Sequence, residues 1–399
     1  MGGRARGDCC ARSIARLYGS LDENGAVAGG DVWAYRYQCL RMASLGARVS
    51  PPADIVERLI EGGFSVYQGN GLDVSIIIVN WNTRDLLRRC LQAIARGIGG
   101  VRAQILVVDN GSSDGSALLL AEEFPWVELL RNSENVGFAR ANNQAYQRVQ
   151  GRYVLLLNPD TEVGPGSIEH MVQFLDADPQ RAGVTAVLRN LDGTVQRYHK
   201  RLPRWRYVLF SETILRNLFP RNRWLRAFYM HDEPFKSMTE VEQPPAACLM
   251  LRQSILAPSS LFDEQFPIFY NDVDLCRWLY DHGHRLFLLP GAEVMHHGGA
   301  GGVHELPDQG IIDSLIGLVR YYRKHEGLLC AGTLWLILTV NSLLVLGGGL
   351  GKVLLGRRSP KWWGNELAKR VRLAIGQEAF HYPKGMNSDL ISRVVTCRH

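Results

Sequence analysis

Val74-Ser75-Ile76-Ile77-Ile78-Val79 is an almost unbroken β-branched run, the pattern of a strand buried on both faces, and Asn80-Trp81-Asn82-Thr83 ends it. From Asp85 to Ile94 the apolar period changes: Leu86, Leu87, Cys90, Leu91 and Ile94 share one face of a helix. The unit then repeats. Gln104 to Val108 predicts a strand, Ser113 to Phe124 a helix, Val127 to Arg131 a strand, Gly137 to Gln150 a helix and Tyr153 to Leu157 a strand. Such alternation predicts an α/β fold around a largely parallel sheet, with ligands in the crevice beyond the carboxyl ends of the strands. Polar residues fall at those ends: Asn80 and Trp81 after the first strand, Asp109 and Asn110 after the second, Asn158-Pro159-Asp160 after the fourth.

Beyond about residue 185 the pattern loosens into hairpin-like and amphipathic segments, with a turn signal at Asp192-Gly193. From His199 to Phe235 bases alternate with aromatics (Arg201, Arg204, Trp205, Arg206, Tyr207, then Arg216, Arg221, Arg223, Trp224, Arg226), a mixture suited to a wet, anionic surface. Leu328 to Leu350 carry no charge, and about 20 apolar residues suffice to cross a bilayer. Asn341, Ser342 and Gly347-Gly348-Gly349 weaken that segment, and bases flank it on both sides, Arg320, Arg323 and Lys324 before, Lys352, Arg357, Arg358 and Lys361 after. Membrane contact is expected here; a span, a dip into one leaflet and a buried core helix all remain open. Trp362-Trp363 and Lys369-Arg370-Val371-Arg372 suit a headgroup interface.

The chain has 399 residues, 46% hydrophobic, enough for one large domain with appendages. A net charge of +6 is modest for that length and implies no nucleic-acid partner. The eight cysteines show no CxxC pair, so reduced, mostly buried thiols are expected rather than a zinc site. The N-terminus is basic without an apolar core and has Arg6 where a myristoylation signal needs Ser or Thr, so the bulk of the protein is expected on the synthesis side of the membrane.

Two tempting motifs fail. Gly351-Lys352 lacks the rest of a phosphate-binding loop, with Leu346 at the first glycine position and Val353 at the Ser/Thr position, and no GxGxxG lies between a strand and a helix. The chemistry-bearing residues are instead acids and amides at strand ends, as a nucleotide diphosphate site needs, because a divalent ion on one or two carboxylates neutralises phosphates. Asp160, with Asn158 before it, is the best candidate, although Asn-Pro-Asp is also an ordinary turn. Asp109 lies in VVDNGSSDGS, where Ser113 or Asp114 is equally a helix cap. Asp272 and Asp274 precede an apolar-periodic segment, either as cap and first-turn acid or with Asp272 as a general base. His296-His297 follows a short strand expected over Arg285 to Leu289 and is either a surface pair or a metal ligand.

Taken together and in order, VSIIIVNWN, ILVVDNGSSDGS, RNSENVGFARANNQA, YVLLLNPDTEV, CLMLRQ, LFDEQFPIFYNDVDLCRW and MHHGG resemble the family 2 glycosyltransferases of the GT-A fold, nearest the bacterial rhamnosyltransferase-like branch. The resemblance covers about residues 73 to 305. It implies a Rossmann-like mixed, mainly parallel sheet flanked by helices, and a division into an N-terminal extension (1–72), a glycosyltransferase domain (73–310) and a membrane-associating helical region (311–399). By position it assigns Asp109 to the donor's pyrimidine base, Asn135 and Gly137 to the loop against the nucleotide, and Asn80, Asn110 and Asn158 to the same nucleotide site. It assigns Asp160 to the Mg²⁺ or Mn²⁺ on the diphosphate, His296 to completing the metal shell, and Asp272 to the catalytic base; Asn271, Asp274, Arg277 and His297 are further candidates.

The implied reaction is a metal-dependent single displacement with inversion. It moves a hexose or deoxyhexose, rhamnose-like, from a dTDP- or UDP-sugar to a glycan or lipid-linked acceptor during envelope polysaccharide assembly at the cytoplasmic face. Two departures stand out: Asn271 replaces the family's usual acid before the base, and Ala246-Ala247 stands where Gly-Ala is common. Loss of the neighbouring charge is expected to lower the Asp272 pKa and weaken the base. That leaves open a catalytically weak scaffold binding nucleotide or lipid-linked glycan; a nucleotidyltransferase is disfavoured because no glycine-rich basic loop follows the first strand.

Overall fold

A computed structural model describes residues 71–298 and 307–357 and, beyond these, single residues as far as Arg370. The expectations for 1–70, Gly299, Arg358, Trp362, Lys369 and 371–399 lie outside the described residues.

The predicted alternation is realised as β1 (Val74–Asn80), α1 (Arg84–Gly97), β2 (Ala103–Asn110), α2 (Ser116–Glu123), β3 (Glu128–Asn132), α3 (Phe138–Tyr146) and β4 (Tyr153–Leu157). Asn80, Asp109 and Asn110 are the last residues of their strands rather than residues beyond them. The chain continues as β5 (Thr161–Val163), α4 (Ser167–Asp176), β6 (Gly183–Arg189), α5 (Trp205–Ser211), α6 (Leu215–Leu218), α7 (Arg223–Phe228), β7 (Thr239–Val241) and β8 (Cys248–Arg252). It ends in α8 (Asn271–Asp281), β9 (Leu286–His296), α9 (Pro307–His325) and α10 (Leu328–Leu354). The strand order is β3-β2-β1-β4-β8-β6-β9-β5, with β7 on β9. β1 pairs in parallel with β2 and β4, and β2 with β3, while β8 runs antiparallel between β4 and β6. β6 and β9 are again parallel.

All seven residues of β1 are buried because helices cover both sheet faces. Val74, Ile76 and Ile78 pack with Leu87, Cys90, Leu91 and Ile94 of α1 and with Ile168, Met171 and Leu175 of α4. Ile77 and Val79 point the other way, into a core shared with Ala139, Ala141 and Ala145 of α3 and with α8, α9 and α10. The alternation of period 2 in the strands and the stripes of period 3.6 in the helices thus meet in two layers.

Two expectations are corrected. The strand expected at Arg285 to Leu289 runs on to His296, through a register shift on β6 near Pro290, so His296 sits inside a strand. The stretch from His199 to Phe235 is not simply a wet surface: Tyr207, Phe228 and Phe235 are buried, and Arg206, Arg216 and Lys200 lie over aromatic rings. α9, within which the expected 310/311 boundary lies, contributes Leu318, Val319, Tyr321 and Tyr322 to the sheet's own core.

Candidate active site

The ends of β1 and β2 are locked side by side by polar groups. Asn80 is fully buried; its Nδ2 donates to Asp109 Oδ1 (3.3 Å) and to Ser112 Oγ (3.1 Å), and its Oδ1 accepts from Thr83 Oγ1 (2.7 Å). Asp109 is also fully buried, and its Oδ2 has no hydrogen-bond partner among the described residues. A buried carboxylate oxygen without a donor is costly, and a ligand N–H removes that cost.

Asn110 organises the next loop. Its Nδ2 donates to Asn135 Oδ1 (2.8 Å) while its Oδ1 accepts from Val136 N and Asn132 Nδ2 (both 3.0 Å). Asn135 Oδ1 also accepts from Gly137 N at 2.9 Å, at the start of α3. Gly111, with φ +76°, closes this contact: a Cβ there would meet the Glu134 backbone at 2.7 Å. Only glycine fits such an approach at positive φ.

At the end of β4, Asn158 N donates to Ala247 O (3.0 Å), and Asn158 O accepts from Thr161 Oγ1 (2.7 Å). That turn carries Asp160, 5% exposed, into β5, whose Thr161 lies opposite His296 of β9. His296 Nε2 consequently sits 3.4 Å from Asp160 Oδ1. Its Nδ1 meets Gln196 Oε1 at 2.8 Å, and Gln196 Nε2 donates to His296 O at 2.7 Å. With Nδ1 carrying the proton toward Gln196, Nε2 keeps its lone pair toward Asp160. His297 turns elsewhere, its Nε2 on Glu162 Oε1 at 2.8 Å. Among the described residues no three His, Cys, Asp or Glu side chains cluster as a metal cage.

Asp272 is the second residue of α8, and Tyr270, in the left-handed region at φ +68°, takes the cap position. Its Oδ1 accepts from Val273 N (2.9 Å) and its Oδ2 from Ala246 N (3.4 Å). Burial pushes the Asp272 carboxyl above its ordinary value, against the opposing pull of those N–H groups and of the Lys200 charge. The lowering expected from the missing neighbouring acid is a difference from a chain with an acid at 271; burial acts separately and in the opposite direction. Asn271 has its own work, donating from Nδ2 to Phe266 O (3.2 Å) and Ile268 O (2.9 Å), which an ionised carboxylate at that position cannot do.

The other candidates on α8 point away. Asp274 holds Lys324 Nζ (2.8 Å) and His325 Nε2 (2.7 Å) of α9, and Arg277 holds Asp281 and Glu326 (both 2.7 Å). Residues two apart on a helix face different ways, which is why Asp272 and Asp274 part company.

Sequence reasoning missed the Ala246 N–H, Gln196 and Lys200. Gln196 was reachable from the Asp192-Gly193 turn, since the tight hairpin it makes, with Asn190 N on Thr194 O at 2.8 Å, brings Gln196 back onto β6. In the sequence Asn82 was visible only as part of the first strand's end, and Asp114 only as a candidate helix cap. In the fold they tie the two strand-end loops together, Ser113 N on Asn82 Oδ1 and Arg84 N on Asp114 Oδ2, both at 2.8 Å.

Residues 75–253 match the family described as glycosyl transferase family 2. An N-acetylglucosaminyl-diphospho-decaprenol L-rhamnosyltransferase of Mycobacterium tuberculosis is 29% identical over 207 residues, 48% of this chain and 66% of that protein. The chain thus spans just under two thirds of that relative's length. The succinoglycan biosynthesis protein ExoO of Rhizobium meliloti is 31% identical over 121 residues, 30% of this chain and 33% of that protein. Among solved structures, the mannosyltransferase PcManGT of Pyrobaculum calidifontis, in complex with GDP-Man and Mn²⁺, aligns with 86% of this chain and 98% of its own at 15% identity and a TM-score of 0.43. The matched segment holds the strand ends that carry Asp109 and Asp160, so this part of the chain is similar to glycosyl transferase family 2, and the relative from Mycobacterium tuberculosis adds a likeness to a rhamnosyltransferase.

Proposed function

We propose that this chain is an inverting, metal-dependent glycosyltransferase that moves a hexose or deoxyhexose, rhamnose-like, from a dTDP- or UDP-sugar to a hydroxyl of a glycan or lipid-linked acceptor in cell-envelope polysaccharide assembly. In this reading 73–310 is the transferase domain, 1–72 an extension, and 311–399 a region that associates with the cytoplasmic face of the membrane. One observation carries it: consecutive residues of one loop serve both halves of the site. Ala246 N–H holds the Asp272 carboxylate, and Ala247 C=O holds the Asn158 turn that leads to Asp160.

Asp109 Oδ2, buried and without a donor, suits an N–H of the donor's pyrimidine base, and Asn80 fixes its other oxygen. Asp160 and His296 Nε2 form a mixed oxygen and nitrogen donor pair that fits Mg²⁺ or Mn²⁺. Bound there, the ion would neutralise charge growing on the leaving phosphate. Gln196 orients His296 for that role. On the acceptor side, Asp272 takes the hydroxyl proton as the oxygen forms its bond to the anomeric carbon. The bond to the diphosphate breaks on the opposite face, its electron pair leaves with the nucleotide, and configuration inverts.

The test is calorimetric titration of UDP, dTDP, GDP and ADP with Mn²⁺, with and without EDTA. Metal-dependent binding selective for UDP or dTDP, lost in Asp160→Ala and in Asp109→Ala, is the expected result. Binding without turnover on any acceptor would shift the reading to a catalytically weak scaffold, and absence of all binding would overturn it.

A further inference from the structure

α10 has two faces. Ala331, Leu334, Leu338, Ser342 and Leu346 recur every three or four residues and are buried, the first three of them in the core shared with α9 and the sheet. The opposite face carries Leu329, Leu336, Val340, Leu343, Leu350 and Leu354, 41 to 89% exposed. Ala331 to Leu338 run about 10 Å along the axis at 1.5 Å per residue, so the first half of the helix is fastened to the domain, while Ser342 and Leu346 meet Arg370 and Trp363, which follow the helix. A span would drag the adjoining α9, with Arg320, Arg323 and Lys324, into hydrocarbon, where such charges are strongly disfavoured.

A second segment adjoins it. Ile214 N donates to Asn341 Oδ1 at 2.8 Å, and Asn341 Nδ2 to Glu212 O at 3.5 Å, which ties the start of α6 to the middle of α10. α6 and the turn after it expose Leu218 (63%) and Phe219 (54%) beside exposed Arg216 and Arg221. Between Thr213 and Met230 there are four arginines and no acid, and from Leu328 to Leu355 there is no acid either. Of those arginines only Arg226 pairs with a carboxylate, Asp232, among the described residues.

We infer that the outer face of α10 and the α6 turn form one docking surface that lies in the plane of a single leaflet of an anionic phospholipid bilayer. The leucines and Phe219 enter the acyl boundary, and the arginines meet lipid phosphates. A broad apolar face bordered by cations without acids matches that chemistry, whereas a protein partner for the apolar face has no need of the arginines. Membrane docking of this kind rests on the membrane-surface part of the reading above and on none of its sugar chemistry, so vesicle binding and turnover fail separately.

Flotation of the full chain with vesicles of phosphatidylcholine alone, or with phosphatidylglycerol added, tests it. Binding is expected only with phosphatidylglycerol, falling about fivefold for each of Arg216→Ala and Arg221→Ala and about tenfold or more in the double variant Leu343→Glu/Leu344→Glu. Nucleotide binding retained by each variant reports that it is folded. With Cys9, Cys10, Cys39, Cys330 and Cys397 changed to Ser, fluorophores on Leu329→Cys, Leu336→Cys, Leu343→Cys and Leu350→Cys are expected at one shallow depth by nitroxide-lipid quenching. A profile deepest at the middle of the helix would establish a span and overturn the proposal. So would failure to float with anionic vesicles, whether a second copy or another part of the chain covers the face.

Discussion

The backbone N–H of Ala246 donates to Oδ2 of Asp272 at 3.4 Å, and the carbonyl of the next residue, Ala247, accepts from Asn158 N at 3.0 Å. The proposed base and the proposed metal turn are therefore coupled through two residues of one loop. Asp272→Asn keeps the size and the contact to Ala246 but removes the proton acceptor. We expect turnover, followed as release of nucleoside diphosphate, to fall roughly 10³-fold while nucleotide affinity by calorimetry stays unchanged. Full turnover in that variant would remove Asp272 from its role.

Burial raises the Asp272 pKa above the ordinary carboxylate value, and this has two readable consequences. The base works ionised, so kcat/KM is expected to climb with pH through the raised value, placing the acidic limb above that of an ordinary aspartate. Between the ordinary and the raised pKa the folded state binds more protons than the unfolded one, so this group's contribution to stability declines as pH rises through that window. In Asp272→Asn the decline should vanish, which denaturant midpoints taken across the window would show.

Asn271→Glu would install the acid that the family usually carries. Here it would remove two donors, to Phe266 O and Ile268 O, and set a second carboxylate beside a buried one. The expected results are a loss of about 1–3 kcal/mol in stability and a further upward move of the acidic limb of kcat/KM. An unmoved limb would mean that residue 271 and Asp272 are electrically independent.

Much of this was legible in the sequence where a local rule suffices. The β-branched run of β1 and the helical stripe of α1 specify buried elements by period alone, and Asp109, Asp160 and His296 were singled out before any geometry was known. What stayed hidden depends on long-range pairing. His296 belongs to a strand only because β6 and β5 flank β9, and Pro290 broke the sequence pattern that would have revealed its full length. Asp272 has a raised pKa because of what buries it, which neighbours in sequence do not report. Asp274 and Arg277 looked functional by proximity, yet α9, far along the chain, absorbs their charge.

Gly111 tests the nucleotide side. With φ +76° and the Glu134 backbone 2.7 Å from a built Cβ, Gly111→Ala must push the loop carrying Asn135 away. A loss of roughly 1–3 kcal/mol in stability is expected, together with weaker UDP or dTDP binding by calorimetry. Gly193→Ala, equally positive in φ but with open space around it, should cost stability without touching nucleotide affinity.

His199 supplies a pH response unconnected with catalysis. It is 1% exposed, its Nδ1 has no partner among the described residues, and its Nε2 lies 3.4 Å from Thr185 Oγ1. Burial lowers its pKa from 6.5 to about 4, so the folded state holds it neutral where the unfolded chain is protonated. The unfolded state then binds more protons between pH 6.5 and about 4, and stability must fall as pH drops through that window. Integrated across it, the loss is on the order of 3 kcal/mol. His199→Phe, next to the Phe235 ring 5.5 Å away, removes the proton but keeps a ring in the site. The urea midpoint of wild type should therefore fall relative to that of the variant as pH drops from 6.5 to about 4, whichever of the two is the more stable at pH 7. If instead wild type shows no steeper acid loss than the variant over that range, His199 is being protonated in the fold and a nearby acceptor, not burial, governs it.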